Sequence, residues 1–285
     1  MLSRTEFTLA DSCLIDVPRL AVELGAQACR LNVDAVAECG STNAMLTQCL
    51  SGNAAELASG TVLIADRQTS GRGRRGRRWL SALRAPEDSL TLSLLWRFPR
   101  GHVMAGLSLA VGLAIRRAMA ALGATGVRLK WPNDLLVEAP EGWAKVGGIL
   151  IELSSSSTGT AAVIGIGLNL RTPDENVPDQ RAAGLDALLD GSIPERHRLV
   201  AMILRHLVVT LDQFVAQGFT GLRAEWEAGH AFSGQQVRLL TESGPDVFGR
   251  CLGVDDEGVL LVDTGEGICR WMAGDVSLRS TNSGG

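Results

Sequence analysis

The sequence is poor in aromatic residues and lacks the patterns of several protein classes. It contains no tyrosine, and aromatic residues make up 4% of its 285 positions. None of its six cysteines belongs to a Cys-x-x-Cys pair, which argues against a zinc site of the usual spacing. No uncharged apolar stretch reaches the roughly 18 residues of a membrane-spanning helix, and the N-terminal residues show no signal-peptide pattern. We therefore expect a cytoplasmic protein, not embedded in a membrane, with reduced cysteines.

The composition nevertheless predicts an ordered protein with a substantial core. Hydrophobic residues, most of them aliphatic, account for 46% of the sequence. Its length predicts one large domain, or a large domain followed by a small one. The formal net charge is −4, so clusters of basic residues in this chain are local features and do not reflect a generally cationic protein.

Hydrophobic periodicity divides the chain into two parts. Residues 1–231 read as an α+β domain, with 1–40 as an N-terminal extension, and residues 232–285 as a small all-β domain. Helices are expected at about 41–58, 104–122, 195–217 and 222–228, and strands at 61–65, 90–96, 127–130, 135–138, 145–153 and 161–170. The strand at 90–96 alternates leucine with serine and threonine and is expected to be half-buried.

The most informative segment is the arginine- and glycine-rich stretch Gly71–Trp79, which follows the apolar strand. Glycine lets a backbone approach a ligand closely, and arginine binds phosphate and carboxylate groups. Three alternatives fit parts of it: a nucleic-acid contact, the dinucleotide-binding fingerprint G-x-G-x-x-G, and a P-loop. The residues after the glycines are poor helix formers, and Arg77 and Arg78 stand where a P-loop has Lys and Ser or Thr. The stretch alone leaves these alternatives open beside a loop that binds a nucleotide or an acyl phosphate.

Two further segments combine polar groups with glycines. Lys130–Asp134 contains a cation, an aromatic ring, an amide and a carboxylate, although an ordinary hairpin turn uses the same residue types. Lys145 precedes two consecutive glycines, and a second glycine pair precedes Asn169. Glycine inside a strand often marks the close approach of a ligand or of another backbone. Together these strands predict a sheet floor with a ligand lying on it.

Taken in order, these segments resemble the biotin protein ligase family. The resemblance rests on Ser41-Thr42-Asn43, Gln68, Gly71–Trp79, Lys130–Leu135, Lys145, Gly147–Glu152 and Gly165–Asn169, and it continues in Trp271–Gly274 and Ser277–Ser280. It implies a mixed-sheet catalytic domain of the biotin/lipoate ligase type followed by a small SH3-like β-barrel. It also implies an enzyme that activates biotin with ATP and Mg²⁺ as biotinyl-5′-AMP. The biotin is then transferred to a lysine of a biotin carboxyl carrier domain in acetyl-CoA carboxylase or a related carboxylase.

The resemblance assigns roles to individual residues. The implied biotin site consists of Ser41, Thr42, Asn43, Gln68, Arg72, Gly73, Arg74, Lys145, Gly147, Gly148 and Gly167. The implied ATP and adenylate site consists of Arg75, Arg77, Trp79, Lys130, Asn133, Asp134 and Asn169, with Mg²⁺ near Asp134 and no metal-binding motif. Lys145, Arg72 and Arg74 are the implied catalytic cations. Trp79 and Trp131 are expected either to pack against adenine or to belong to the core, and the four histidines to be structural.

Some features separate this chain from its alternatives and from parts of the family. A lipoate or octanoate ligase or transferase of the same fold is the main alternative, and both the arginine loop and Lys130–Asp134 fit biotin ligases better. Many bacterial relatives carry an N-terminal DNA-binding domain, which the forty residues before Ser41 are too short to hold, so no specific DNA binding is expected. The segment 81–89 is longer than usual in the family. A homodimer is a further implication of the resemblance.

Overall fold

Two sheets organise the computed structural model, which describes residues 13–53, 57–80, 84–173, 181–241, 244–272 and 276–280. The larger sheet is built from β1 (Asn32–Cys39), β2 (Thr61–Gln68), β3 (Ser89–Pro99), β4 (Arg128–Lys130), β5 (Asp134–Ala139), β6 (Gly142–Ser156) and β7 (Gly159–Asn169). Its spatial order is β1-β2-β3-β7-β6-β5-β4. β1 and β2 are parallel, and every other neighbouring pair is antiparallel. The expected mixed sheet is confirmed, and β4–β5 and β6–β7 form hairpins.

The expectation that the strand at 90–96 is half-buried is wrong. β3 lies in the middle of the sheet between β2 and β7, and residues of both its faces are buried. Leu92 and Leu94 face the main core, whereas Ser93 and Leu95 face the opposite side. Helices cover both sides of the sheet, so the alternation of leucine with polar residues marks a polar site rather than solvent.

Helices lie on both faces of the sheet. α2 (Thr42–Asn53) covers one face, where Leu46 and Leu50 pack with residues of β1, β2, β3 and β7. The other face is covered by α1 (Val17–Leu24), α3 (Leu107–Ala121), α4 (Arg196–Gln217) and α5 (Thr220–Gly229). The described part of α2 ends at Asn53, and residues 54–56 lie outside the described residues. Leu57 and Ala58 are not helical, so the helix does not reach Ala58 as the sequence predicted.

The helix α4 is long and apolar enough to cross a membrane by length and composition. More than half of its apolar window is buried inside the protein, however, and residues such as Leu204 and Phe214 are part of the main core. Glu195 accepts a hydrogen bond from Arg198 N and caps the helix, and Gly218 ends it. These features are those of a core helix.

The C-terminal residues form a second, antiparallel sheet. It contains β8 (Gln236–Thr241), β9 (Val247–Val254), β10 (Leu260–Asp263), β11 (Ile268–Trp271) and β12 (Val276–Ser280) in the order β11-β10-β9-β8-β12. The expected small β domain is therefore confirmed. The indole of Trp131 donates to Gly258 O at 3.1 Å and is 1% exposed, so this tryptophan joins the two parts of the chain. Of the two roles expected for Trp131, the structure supports core packing.

Candidate ligand-binding site

The arginine loop, residues 69–80, leaves the end of β2 and folds back as a narrow, irregular hairpin. Trp79 N donates to Gly71 O at 3.0 Å, and Gly73 N donates to Arg77 O at 2.7 Å. A Cβ on Gly71 would lie 2.4 Å from Trp79 O, so this close approach requires glycine. Helical geometry within the loop, all of which the structure describes, is limited to one 3₁₀ turn, Arg74–Gly76. The glycines therefore do not open the α-helix that a P-loop or a dinucleotide fingerprint requires.

The loop and the strand β6 line an open cavity of about 680 Å³. Its lining consists of Ser70, Gly71, Arg72, Gly73, Arg74, Arg75, Gly76, Arg77, Arg78, Leu150 and Glu152. The volume is in the range of small-molecule sites. The wall is strongly cationic, with one carboxylate in it, and is therefore suited to an anionic ligand.

A polar floor lies where the first turn of α2 meets the sheet. Thr42 and Asn43 are each 3% exposed, and Ser93 of β3 lies between them, with its Oγ 2.7 Å from Thr42 Oγ1 and 2.6 Å from Asn43 Oδ1. Thr42 N donates to Gln68 Oε1 at 2.8 Å. Ser41 caps α2, since its hydroxyl accepts from Ala44 N at 3.4 Å. The structure thus brings the four predicted polar residues together and adds Ser93, which sequence reasoning missed although its alternation with leucines was visible.

The glycine-bearing strands lie side by side beneath this floor. Gly148 of β6 is opposite Gly167 of β7. A Cβ on Gly165 would lie 2.2 Å from Asn43 Oδ1, and one on Gly167 would lie 2.4 Å from the indole of Trp79, so both glycines make room for site residues. Gly147 points to the other face, where a Cβ would meet the side chains of Leu168 and Leu135. Because side chains alternate along a strand, Gly147 and Gly148 lie toward opposite faces of β6, and the place of Gly147 in the biotin site stays a prediction.

Glu152 of β6 connects the arginine loop to the polar floor. Its two carboxylate oxygens each lie 3.1 Å from Arg72 Nη2. Asn43 Nδ2 donates to the same carboxylate at 2.9 Å and also to Leu150 O at 3.2 Å. The resemblance includes Glu152 in the segment Gly147–Glu152 but assigns no role to it. The available signal was an acidic residue inside the continuous apolar run of a predicted strand.

A buried cluster of charges lies at the turn between β4 and β5. Asp134 Oδ1 lies 2.5 Å from Lys145 Nζ, and its Oδ2 lies 3.4 Å from Lys130 Nζ. The side chains of Asp134 and Lys130 are 12% and 6% exposed. Two cations and one carboxylate leave a net positive charge in a place with little water, where electrostatic interactions are strong. Gly148 has no side chain and leaves space for Lys145, whose Nζ would lie 3.2 Å from a Cβ there.

Arg74 extends the cationic cluster from the loop side. Its Nη1 donates to Asn133 Oδ1 at 3.2 Å, and Asn133 Nδ2 donates to Ile149 O at 2.8 Å. Burial, followed by the nearby Arg75, lowers the pKa of the Arg74 guanidinium below its ordinary value. Arginine stays charged nonetheless, so Arg74 brings a partly desolvated positive charge next to the turn at Asn133.

The remaining predicted residues occupy different environments. Arg75 and Arg77 are exposed on the cavity wall. Trp79 lies over Gly167, and its buried Nε1 has no hydrogen-bond partner among the described residues. Asn169 Nδ2 donates to Ala183 O at 3.1 Å and to Lys145 O at 3.4 Å. Asn169 therefore lies at the end of β7, beside the strand β6 that carries Lys145, and its amide holds the main chain there.

Comparison with family models identifies both parts of the chain. Residues 40–169 match the biotin/lipoate A/B protein ligase family. Residues 232–279 match the biotin protein ligase C terminal domain. The first match covers β2 to β7 with the site, and the second covers most of the small β domain.

Individual proteins give the same result. The chain is 39% identical to the bifunctional ligase/repressor BirA of Escherichia coli over 231 residues, covering 79% of this chain and 68% of BirA. It is 37% identical to the biotin–[acetyl-CoA-carboxylase] ligase of Mycobacterium tuberculosis, covering 89% and 91% of the two chains. The solved structure of the biotin protein ligase from Aquifex aeolicus in complex with biotin and ATP superposes with a TM-score of 0.71 at 30% identity, covering 88% and 99%.

Proposed function

The chain belongs to the biotin/lipoate A/B protein ligase family, and we propose that it activates biotin with ATP as biotinyl-5′-AMP and transfers it to a lysine of a biotin carboxyl carrier domain. It is an ATP-dependent ligase of the biotin–[acetyl-CoA-carboxylase] type, in keeping with relatives of that name. The observation that carries the proposal is the polarity of the site. Uncharged hydrogen-bonding groups lie at one end, around Ser93, and the cations Lys145, Lys130 and Arg74 lie at the other.

The polar floor suits the ureido ring of biotin. That ring carries two N–H donors and one carbonyl acceptor and no charge. Thr42, Asn43, Gln68 and Ser93 supply hydroxyl and amide groups that can both donate and accept. Thr42, Asn43 and Ser93 are buried, Gln68 is half-buried, and hydrogen bonds to one another fix all four. A ligand without matching groups leaves the remaining donors and acceptors of the buried groups unpaired, which costs about 1–3 kcal/mol for each. This requirement favours biotin over a fatty acyl chain.

The cationic cluster suits the reacting end. In the first step a carboxylate oxygen of biotin attacks the α-phosphorus of ATP, a P–O bond forms, and the bond to the departing pyrophosphate breaks. Two anionic groups must approach each other, so fixed positive charges stabilise the transition state. In this proposal Lys145, held by Asp134, and Arg74, held by Asn133, supply that charge. Arg75 and Arg77, exposed on the cavity wall, would contact the outer phosphates.

The second step needs no covalent intermediate on the enzyme. The amine of the acceptor lysine attacks the acyl carbon of biotinyl-5′-AMP, an amide bond forms, and AMP leaves with the electrons of the acyl–oxygen bond. The arginine loop lies over the site and would keep water from the mixed anhydride between the steps. The second domain of this proposal is residues 232–285, which come after α5 in the chain.

Mg²⁺ would enter this site together with the triphosphate. No group of three His, Cys, Asp or Glu side chains among the described residues could hold a metal ion. Both oxygens of Asp134 already contact lysines, so this carboxylate fits at most as a single ligand, which is usual for Mg²⁺ bound with a nucleotide. The ion would neutralise phosphate charge when bound.

Biotin-dependent exchange of pyrophosphate into ATP tests the proposal. The purified protein should catalyse the exchange with biotin and label a biotin carboxyl carrier domain on one lysine, which mass spectrometry can locate. Lipoate and octanoate are the matched alternative substrates, since the matching family model includes lipoate ligases. Exchange with lipoate and none with biotin would replace this function by the alternative.

A further inference from the structure

We propose that Glu152 is a positioning residue for biotin activation, which holds Arg72 and Asn43 so that the arginine loop stays closed over a polar floor of fixed hydrogen-bonding direction. This inference rests on the proposed function where it concerns biotin, and on the structure alone where it concerns the loop. Glu152 contacts the loop on one side and the start of α2 on the other. Both contacts are long-range, since Arg72 and Asn43 lie 80 and 109 residues before Glu152 in the chain.

The first effect of Glu152 is on the orientation of the Asn43 amide. An ionised carboxylate only accepts hydrogen bonds, and so does the carbonyl of Leu150, so the amide nitrogen of Asn43 must face both of them. Its oxygen then faces Ser93 Oγ at 2.6 Å. An amide oxygen cannot donate, so the single hydroxyl proton of Ser93 is directed to it.

The direction of the Ser93 proton restricts the hydrogen bonds of Thr42 and Gln68 in the polar floor. Because Ser93 has given its proton to Asn43, the 2.7 Å contact between Ser93 Oγ and Thr42 Oγ1 needs the proton of Thr42, or is left without one. The same proton of Thr42 is the one that could reach Gln68 Oε1 at 3.1 Å. One carboxylate outside the floor thus limits which groups of Thr42 and Gln68 can accept from, or donate to, a ureido ring.

The second effect of Glu152 is on the loop. Arg72 lies on the first arm of the loop hairpin, and its backbone forms an antiparallel bridge with that of Arg78 on the second arm. Its ion pair with Glu152 is half-exposed, with side-chain exposures of 47% and 30%, and fastens this arm to β6. Such a pair alone contributes about 0–1 kcal/mol. That is enough to bias a loop without locking it, so ligands can still enter and leave.

The charge of Glu152 also indicates which end of a ligand lies near it. The ion pair of Glu152 and Arg72 is neutral overall, so the wall beside it carries less positive charge than the wall at Arg75 and Arg77. The neutral head of biotin can lie beside this pair at little electrostatic cost, whereas the triphosphate is bound more favourably by the unneutralised part of the wall. Glu152 therefore separates the uncharged end of the site from its cationic end.

The test compares Glu152→Gln with Glu38→Gln in the full chain. Glu38 is the matched control because it pairs with Arg67 at 3.0 Å on the same sheet, outside the site. In the protein without ligands, amide hydrogen exchange of residues 71–79 should become about fivefold faster in Glu152→Gln and stay unchanged in the control. Unchanged exchange in Glu152→Gln, with wild-type thermal stability, would overturn the proposal. This readout does not depend on catalysis, so it is separable from a failure of the proposed function.

Pyrophosphate exchange then tests the effect on biotin. Glu152→Gln should raise the KM for biotin about fivefold or more and change kcat by less than twofold, and Glu152→Asp should recover part of the loss. In the double variant Glu152→Gln/Arg72→Gln, the increase in the KM for biotin should be smaller than the product of the increases in the two single variants, because both substitutions break the same ion pair. Effects that multiply fully, or a change confined to kcat, would contradict a positioning role through Arg72.

Discussion

Lys145 Nζ lies 2.5 Å from Asp134 Oδ1, and Lys130 approaches the other oxygen of the same carboxylate. These are the only two lysines in the sequence, in which arginine supplies the other 25 of the 27 Lys and Arg residues. Lysine is a compact point charge on a flexible stem, whereas arginine is a rigid planar fork. Asp134 removes part of that flexibility and leaves the pair of lysines with a net positive charge.

Lys145→Ala should strongly impair formation of the adenylate. The loss of one well-placed charge contact at a reacting centre typically lowers the rate about a hundredfold or more. The variant should fold, because the side chain of Lys145 on β6 is 23% exposed and is not part of the apolar core. The measurement is kcat/KM for biotin-dependent pyrophosphate exchange. Arg181→Ala is the control, because its side chain pairs with the exposed Glu141 while its backbone lies beside Lys145. A decrease of less than about threefold in Lys145→Ala would exclude the assigned role.

Arg74→Ala should release biotinyl-5′-AMP into solution. The variant loses the contact between the loop and Asn133, and a charge-assisted hydrogen bond of this kind corresponds to a change of about tenfold or more in the release rate. Released adenylate can be measured by the labelling of an added lysine-rich protein, because this chain offers few amines of its own. Arg67→Ala, next to the loop but paired with Glu38, is the control. Wild-type release and wild-type biotin affinity in Arg74→Ala would show that the loop does not retain the intermediate.

The stability of the protein should decrease below pH 6.5 because of His230. This histidine stacks on Trp226 with ring centroids 4.7 Å apart, and burial lowers its pKa from 6.5 to about 3. Below pH 6.5 the unfolded chain binds a proton that the folded protein does not bind. The free energy of unfolding therefore falls as the pH falls, by about 1.4 kcal/mol per unit from this group, until the pH approaches 3.

Urea unfolding of wild type and His230→Phe at pH 7.0 and pH 5.0 measures this contribution. Phenylalanine keeps a ring against Trp226 but cannot bind a proton. The loss of stability between the two pH values should be smaller in the variant by roughly 2 kcal/mol. Equal losses in the two proteins would mean that His230 is protonated in the folded state.

The chain should show no sequence-specific binding to DNA. Residues 17–24 and 32–39 form α1 and β1, which pack on α4 and pair with β2, so they belong to the sheet domain and not to a DNA-binding module. Any affinity should come from the arginines at 72–78, decline steeply with salt and decrease when biotin and ATP are bound. Gel retardation across a salt series measures it. The E. coli relative is named a bifunctional ligase/repressor, so this prediction needs a direct test. A footprint on a defined operator that strengthens with biotinyl-5′-AMP would contradict it.

The sequence predicted the elements of this fold well where periodicity was long or glycine ended a segment, as in α4, which stops at Gly218. It misjudged β3, because alternation of leucine with polar residues looks the same whether the polar face meets water or a buried site. Ser93 was missed for this reason. A Gly-Gly pair in a sequence does not indicate which of its glycines shares a face with the polar floor, and the register that places Gly148 opposite Gly167 does so.

The roles of Glu152 and Asn169 could not be predicted for a different reason. Each depends on partners distant in the chain: Arg72 and Asn43 for the glutamate, and the main chain at Ala183 and Lys145 for the asparagine. Local sequence carries no information about such pairings. The core position of Trp131 likewise depends on Gly258 in the second domain.

The most direct test of the whole account is pyrophosphate exchange into ATP with biotin, lipoate and octanoate compared in one assay on the wild-type protein. A site with a buried polar floor and a cationic end should give exchange with biotin at least about a hundredfold more efficiently than with either fatty acid, because those acids leave several floor groups unpaired. Equal or greater efficiency with lipoate or octanoate would contradict the account.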